Sequence, residues 1–454
     1  MFSINPATEV VLGEYPILTN VQLEKKINFS FKTFKTWKKV LFLEKKVLMK
    51  RVSKILLRDK EKFARTITLE MGKTIRESLM EVEKCAKVCE FFAEYTEEIV
   101  RKELIKTEAK ESYIRFDPLG IIFAIMPWNF PFWQVFRAAA PALMIGNTML
   151  LKHASNVPQS SQLIEKIFLE AGFPKGVFQN LLIDSSMSSQ VINNEFVRAV
   201  TLTGSEQAGS IVAATAGAAI KKSILELGGS DPFIVLEDAD VKKAALFATS
   251  ARLIVGGQSC IAAKRFIINK KIADEFLNEF KKLFQEKKVG DPLSFKTDIG
   301  SLSSKQIIDT IEKQVNDSVK MGAKIIIGGK RIHGKGYFYL PTIITNVTKK
   351  MPIYFEETFG PVAAVFIVKD DEEAIKIAND TKYGLGASVW TKNKERANKF
   401  IEELESGSVF INSIVKSDPR LPFGGIKMSG YGRELSSYGL KEFVNIKTVF
   451  VSSP

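Results

Sequence analysis

Between residues 20 and 105 apolar side chains recur at spacings of three and four, as at Ile55, Leu56, Phe63, Ile67 and Leu69, which predicts a run of helices. Beyond residue 120 the pattern changes. Short apolar, β-branched runs at 121–125, 148–151, 177–183, 197–203 and 223–225 alternate with helical stretches near 132–144, 158–171, 186–193 and 206–219. Gly172 followed by Pro174 is a helix stop. A second series follows, with strands expected at 233–236, 266–268, 324–327, 362–368, 387–390 and 409–411. Helices are expected near 241–254, 272–287, 304–321, 371–379 and 393–404. Near-continuous apolar strands separated by helices imply parallel sheets covered on both faces, with ligands at the carboxyl ends of the strands. The changeover falls at Gly228-Gly229. The tail, residues 442–451, alternates as a strand, and a bare terminal strand needs a partner; pairing in an oligomer is the expectation.

Composition narrows the class. The 454 residues allow two or three domains, and 45% apolar with 26% charged residues is ordinary for a globular chain. The net charge is +14, from 65 Lys+Arg against 51 Asp+Glu. The densest basic stretch, Lys25 to Lys60, interleaves Lys with Phe, Leu and Val at helical spacing, which reads as a solvated helix face rather than a nucleic-acid patch. Three Cys cannot build a disulfide framework, and two isolated His, His153 and His333, offer no metal cluster. The first 24 residues carry Glu9 and Glu14 and no basic residue, unlike a leader. The most apolar stretch, residues 120–136, holds Pro127, Asn129, Pro131 and Gln134 and is too interrupted to span a bilayer. A cytoplasmic protein that binds neither membrane nor nucleic acid is expected.

Five features could carry chemistry. Cys260 follows Gly256-Gly257-Gln258-Ser259, and glycines there let backbone approach a ligand. A Cys can act as a nucleophile as its thiolate, or simply fill a core as a small apolar residue. Cys85 and Cys89, four apart in a helical pattern, read as structural. Glu226 ends a strand in Leu225-Glu226-Leu227-Gly228-Gly229, where a desolvated carboxylate could be a general base or could equally cap or pair. Asn129, in a proline-bracketed turn after a strand, could donate to an oxyanion or close an Asx-turn. Thr203-Gly204-Ser205 with Gly209 leads from strand to helix and offers free N–H groups to a phosphate. Lys152 through Ser155 follows a strand and could meet a ribose or phosphate.

The array resembles the aldehyde dehydrogenase superfamily. MPWNFP (126–131), LKHAS (151–155), LTGS (202–205), ELGGSDPFIV (226–235), GGQSC (256–260), EETFGPV (356–362) and PFGGIKMSGYGRE (422–434) stand in the family's order, and the likeness spans essentially the whole chain. KHASNVP and KSDPRLPFGG are most similar to succinate-semialdehyde dehydrogenases. The resemblance implies an α/β fold. It divides into a Rossmann-type NAD(P) domain (1–110 and 120–228), an α/β catalytic domain (229–435) and a small β oligomerisation element (111–119 and 436–454). A homodimer or homotetramer would follow.

The resemblance also implies roles. Cys260 attacks the aldehyde, Asn129 and the Cys260 N–H hold the oxyanion, and Glu226 activates water against the thioester. Lys152 and Ser155 hold the adenosine ribose, Gly204 and Ser205 the pyrophosphate, and Glu357 the nicotinamide ribose. Trp128, Leu227 and Phe359 complete the cofactor site. Many NAD-using relatives carry Glu where Ser155 stands. A small neutral donor beside Lys152 implies NADP in preference to NAD. Arg137 and Ser417 match residues that related enzymes use for a substrate carboxylate, although a second Arg of several relatives is Ile254 here. Without that selectivity the chain would be a general aldehyde or glyceraldehyde dehydrogenase. A non-catalytic binding protein on the same scaffold should have lost Cys260, Glu226 or Asn129, and all three are present.

Overall fold

The computed structural model describes residues 1–453. The helical run opens with Asn20–Trp37, Phe42–Arg58, Lys60–Met71 and Ile75–Ile99. Thr19 and Thr74 start the first and last of these with capping boxes to Gln22 and Glu77. Gly72, at φ 86°, ends the third in the left-handed conformation. Leu23, Ile27, Phe34 and Trp37 face inward on the first helix while Lys25 points out. Lys45 is the exception: it is buried, with its ammonium 5.5 Å from the Trp37 ring centroid.

Two sheets carry the architecture. The first has the order Gly430–Tyr431, Lys222–Glu226, Val197–Thr203, Ile121–Met126, Thr148–His153 and Phe178–Asn180. Its last five strands are parallel, so Glu226, Thr203, Met126 and Lys152 come to one edge. The register pairs Leu202 with both Ile125 and Leu225. Strand Ile121–Met126 is buried along nearly its whole length, as expected of a central parallel strand. The chain returns from the second sheet to add Gly430–Tyr431 antiparallel to Lys222–Glu226.

The second sheet runs Lys324–Ile327, Thr342–Thr345, Val362–Val368, Arg265–Asn269, Pro232–Val235, Gly386–Trp390 and Ser408–Ile411. All neighbours are parallel except the first pair. Pro232–Val235 begins just after Gly228-Gly229, Arg265–Asn269 just after Cys260, and Val362–Val368 just after Glu357 and Phe359. The amino ends of this sheet therefore meet the carboxyl ends of the first.

Several elements differ from expectation. Strand Thr342–Thr345 was not foreseen, because only Ile343 and Ile344 are apolar between its two threonines, which marks neither a helix nor a strand period. Residues 177–183 form strand only at Phe178–Asn180. The tail strand, Val444–Val451, pairs antiparallel with this chain's own Glu111–Pro118, from Val444 opposite Pro118 to Val451 opposite Glu111. Its partner on that edge therefore lies within the same chain. Glu103–Leu104 completes this three-stranded sheet, leaving the tail's other edge without a strand among the described residues. No helix is long and apolar enough to cross a membrane among those residues.

Candidate active site

The loop that presents Cys260 is held from several sides. After helix Val241–Leu253, Val255, Gly256 and Gly257 all take positive φ, at 52°, 60° and 80°. Only glycine fits at 257, where a Cβ would lie 2.1 Å from the Gly360 carbonyl oxygen. The unusual Val255 conformation is stabilised by its N–H, which donates to Glu77 Oε1 at 2.6 Å. Gln258 is fully buried: its Nε2 donates to the Val255 carbonyl (3.1 Å) and its Oε1 accepts from Ser303 N (2.9 Å). Arg252 donates to the Gly257 and Ala263 carbonyls, and Lys264 to those of Ser259 and Cys260.

Two cavities meet at Cys260. One, of about 250 Å³, lies between helix Ile75–Ile99, helix Trp133–Ile145 and the segment at 414–417; it includes Phe130, Trp133, Ile261 and Phe423 in its walls. The other, of about 260 Å³, lies against Trp128, Asn129, Gly204, Ser205, Leu227, Glu357 and Phe359. Cys260 belongs to both walls. Burial pushes its thiol up to about 12, against the opposing pull of Lys264 and then Arg137. The resting sulfur is therefore a thiol. Asn129 donates one amide N–H to the Gln258 carbonyl at 3.0 Å, which aims the amide at the Cys260 loop and leaves its second N–H for another acceptor.

On the nucleotide-sized side, Glu357 accepts from Gly229 N at 3.0 Å and pairs with Lys264 at 3.3 Å. A Cβ on Gly228 would lie 2.6 Å from Glu357 Oε2, so the glycine makes room for that carboxylate. Trp128 and Phe359 meet edge to face at 5.7 Å. Ser205 caps helix Glu206–Ala218 through Ala208 N, while Gly209 is explained by packing, because a Cβ there would strike Leu227 at 2.6 Å. Lys152 and Ser155 follow at the carboxyl end of the neighbouring strand, outside this cavity's wall; Lys152 donates to the His153 carbonyl, and burial lowers its ammonium. His153 bonds Pro131 O and Ala154 N, and burial pushes it down to about 4, which leaves it neutral and structural. A cradle of exposed helix N–H groups, a fixed carboxylate and aromatic walls fits a pyridine nucleotide.

Glu226 lies apart from both linings. Its carboxyl stands against Gly424, where a Cβ would come within 2.7 Å of Oε1, and neither oxygen has a hydrogen-bond partner. Burial first, and the Glu434 charge second, raise its pKa well above the ordinary carboxylate range, against Arg137 and Arg433. Arg137 is no exposed helix charge. It is 2% exposed, ion-paired with Glu434, donates to Thr203 Oγ1 at 3.2 Å and lies over the Phe423 ring. It faces the apolar cavity with its charge already matched. Ser417 is buried in the same wall and accepts from Lys84 Nζ at 2.5 Å.

Lys84, Glu434 and Lys264 were not singled out from the sequence. Lys84 sits in a helical pattern that reads as a solvated face, and only the packing of residues 414–417 against its helix brings it into a cavity. Glu434 stands within a quoted motif, yet no spacing rule links it to Arg137.

The chain belongs to the aldehyde dehydrogenase family, described as "Aldehyde dehydrogenase family", whose model matches residues 1–449. It is similar to the probable succinate-semialdehyde dehydrogenase [NADP(+)] of Synechocystis sp., 49% identical over 450 residues and 99% of each chain. It is 44% identical to the succinate-semialdehyde dehydrogenase [NADP(+)] of Mycobacterium avium over 455 residues, 99% of this chain and 96% of that one. The crystal structure of succinic semialdehyde dehydrogenase from Streptococcus pyogenes in complex with NADP+ superposes with a TM-score of 0.97 at 40% identity, covering 100% of both chains.

Proposed function

We propose that this chain oxidises succinate semialdehyde to succinate and prefers NADP to NAD. The observation that carries this reading is the position of Cys260 in the shared wall of two cavities, one suited to a nucleotide and the other apolar with cations in its walls. The dinucleotide supplies the hydride acceptor when bound. Lys152 and Ser155 would hold its ribose, Gly204 and Ser205 its pyrophosphate, Glu357 the second ribose, and Trp128, Leu227 and Phe359 its flat faces. Cys260 gives its proton to solvent water and attacks the aldehyde carbon. The Asn129 amide and the Cys260 N–H hold the resulting oxyanion, and the thiohemiacetal becomes a thioester when hydride departs. Glu226, once ionised and turned toward Cys260, takes a proton from water as the hydroxide adds to the thioester; collapse releases the acid and the thiolate, and Glu226 returns the proton to the sulfur. Burial raises the Glu226 pKa above the ordinary carboxylate range, so it holds a proton more tightly than an exposed carboxylate does.

The printed names of the Synechocystis and Mycobacterium avium relatives support the substrate and the cofactor. The pairing of Arg137 with Glu434 favours a second reading, a general aldehyde or glyceraldehyde dehydrogenase, since that cation is already neutralised. NADPH formation with succinate semialdehyde, against hexanal and glyceraldehyde and with Cys260→Ala as the blank, decides between them. The highest specificity constant on succinate semialdehyde, abolished by the substitution, is expected. Turnover of only the uncharged aldehydes refutes the substrate.

The two sheets and the three-stranded element support a division at 1–110 with 120–228, 229–435, and 111–119 with 436–454, although Gly430–Tyr431 crosses it to join the first sheet and Glu103–Leu104 to join the three-stranded one. The open edge of Val444–Val451 supports assembly into a homodimer or homotetramer. Three unpaired cysteines fit a cytoplasmic enzyme.

A further inference from the structure

We propose that Lys264 is a positioning residue for the oxyanion donor: its ammonium, held on the Ser259 carbonyl, strengthens the Cys260 N–H at the other end of the same peptide group. This rests on the oxyanion role proposed for that N–H, and it holds for any aldehyde. Lys264 is 2% exposed and lines neither cavity, so it acts only through the groups it holds. Its Nζ donates to the Ser259 carbonyl at 2.8 Å and to the Cys260 carbonyl at 2.5 Å, and it pairs with Glu357 at 3.3 Å. An ammonium carries three N–H donors, and these three groups surround it. A Cβ on Gly229 would lie 2.7 Å from the Cys260 carbonyl oxygen, so the glycine leaves that carbonyl its room.

The Ser259 carbonyl and the Cys260 N–H belong to one planar trans peptide unit and point in opposite directions. The carbonyl also accepts from Ala262 N at 3.1 Å, while the Cys260 N–H meets no acceptor among the described residues. A charged donor polarises the amide it reaches, and in a desolvated site that polarisation passes along the peptide. The opposite N–H therefore donates more strongly, and the two held carbonyls fix its direction. Burial lowers the Lys264 ammonium, and the charges of Glu357 and Asp231 oppose that shift. The same cation ties the nucleophile's loop to the carboxylate proposed for the nicotinamide ribose.

The test compares two reactions of the Cys260 sulfur in the protein without NADP, with Cys260→Ala as the blank. p-Nitrophenyl acetate acylates the sulfur through a tetrahedral oxyanion: a bond forms to the acetyl carbon and p-nitrophenolate leaves. Iodoacetamide alkylates it by displacing iodide, and no oxyanion forms. The ratio of the acylation burst rate to the alkylation rate at one pH cancels the thiolate fraction. Neither reaction transfers hydride, so a disturbed nucleotide site does not enter. In Lys264→Met the ratio should fall by about 10-fold, less than the ~100-fold expected of Asn129→Ala, which removes a donor outright. Lys264→Gln keeps a neutral donor and should fall between wild type and Lys264→Met. A ratio unmoved by Asn129→Ala refutes the oxyanion reading itself. A ratio that falls in Asn129→Ala but keeps its wild-type value in folded Lys264→Met, with both rates slowed together, refutes the role of Lys264 alone. If Lys264→Met fails to fold, a wild-type ratio in Lys264→Gln refutes it equally.

Discussion

Glu434→Gln removes one of two carboxyl groups that share a buried arginine. Arg137 and Glu434 are 2% and 1% exposed at their side chains. Deleting one partner of a buried ion pair ordinarily costs about 3–5 kcal/mol, because the other charge is stranded. Here the stranded guanidinium has a substitute. Glu226 is buried beside it, with both carboxyl oxygens unpartnered. Re-pairing should recover part of the cost and leave a loss of about 1–3 kcal/mol. The same exchange removes the Glu434 charge that raises Glu226 and frees an opposite charge next to it. A gain of that kind lowers a carboxyl pKa by about 1–3 units, each worth ~1.4 kcal/mol. Glu226 gains its charge as pH rises through its pKa, so the acid limb of thioester hydrolysis should move to lower pH by at least about one unit. The plateau rate should fall, because a paired carboxylate is a weaker base. Pre-steady-state bursts of NADPH followed by the slower steady phase, measured from pH 5 to 9, would report the limb, and thermal unfolding the stability. An unmoved limb with stability lost in full would show that Glu226 and Glu434 do not share Arg137, and the electrostatic account would fail.

Two other outcomes follow from the site. Gly257→Ala places a Cβ 2.1 Å from the Gly360 carbonyl oxygen at φ 80°, so the Cys260 loop must move; kcat should drop by about 100-fold or more. Iodoacetamide labelling of Cys260 should change rate in parallel, and a wild-type kcat would refute the packing argument. Ser155→Glu should shift the ratio of kcat/KM for NADP over NAD toward NAD by at least about tenfold, through repulsion of a 2′-phosphate; an unchanged ratio would remove Ser155 from cofactor choice.

The parallel strands and their helices were legible because a strand buried on both faces leaves a continuous apolar run, as at Ile121–Met126. Helix Asp371–Asn379 emerged with its expected limits, since Asp370 caps it and acidic residues fill its first turn. Strand Thr342–Thr345 was illegible because only two of its residues, Ile343 and Ile344, are apolar, too few to set a period. The internal partner of the tail was also hidden, because pairing across more than 300 residues leaves no local trace. The residues of the site were legible one by one through the glycines and turns beside them. What each side chain touches was not. Glu434, Arg137 and Glu226 come from a loop, a helix and a strand far apart in the chain. Their shared charge arises only when those elements close around one desolvated space.

The sulfur of Cys260 forms a threshold between two rooms. Traffic on either side is therefore independent until chemistry occurs. On the proposed reading, a nucleotide seated against Glu357 would leave the aldehyde's approach past Trp133 open, and an aldehyde would not bar the nucleotide's door. Any inert adduct left on that one atom ends turnover, whichever side the reagent came from. Inactivation by a thiol reagent is thus all-or-none for each molecule, and the surviving fraction keeps the KM of the untouched enzyme for both ligands.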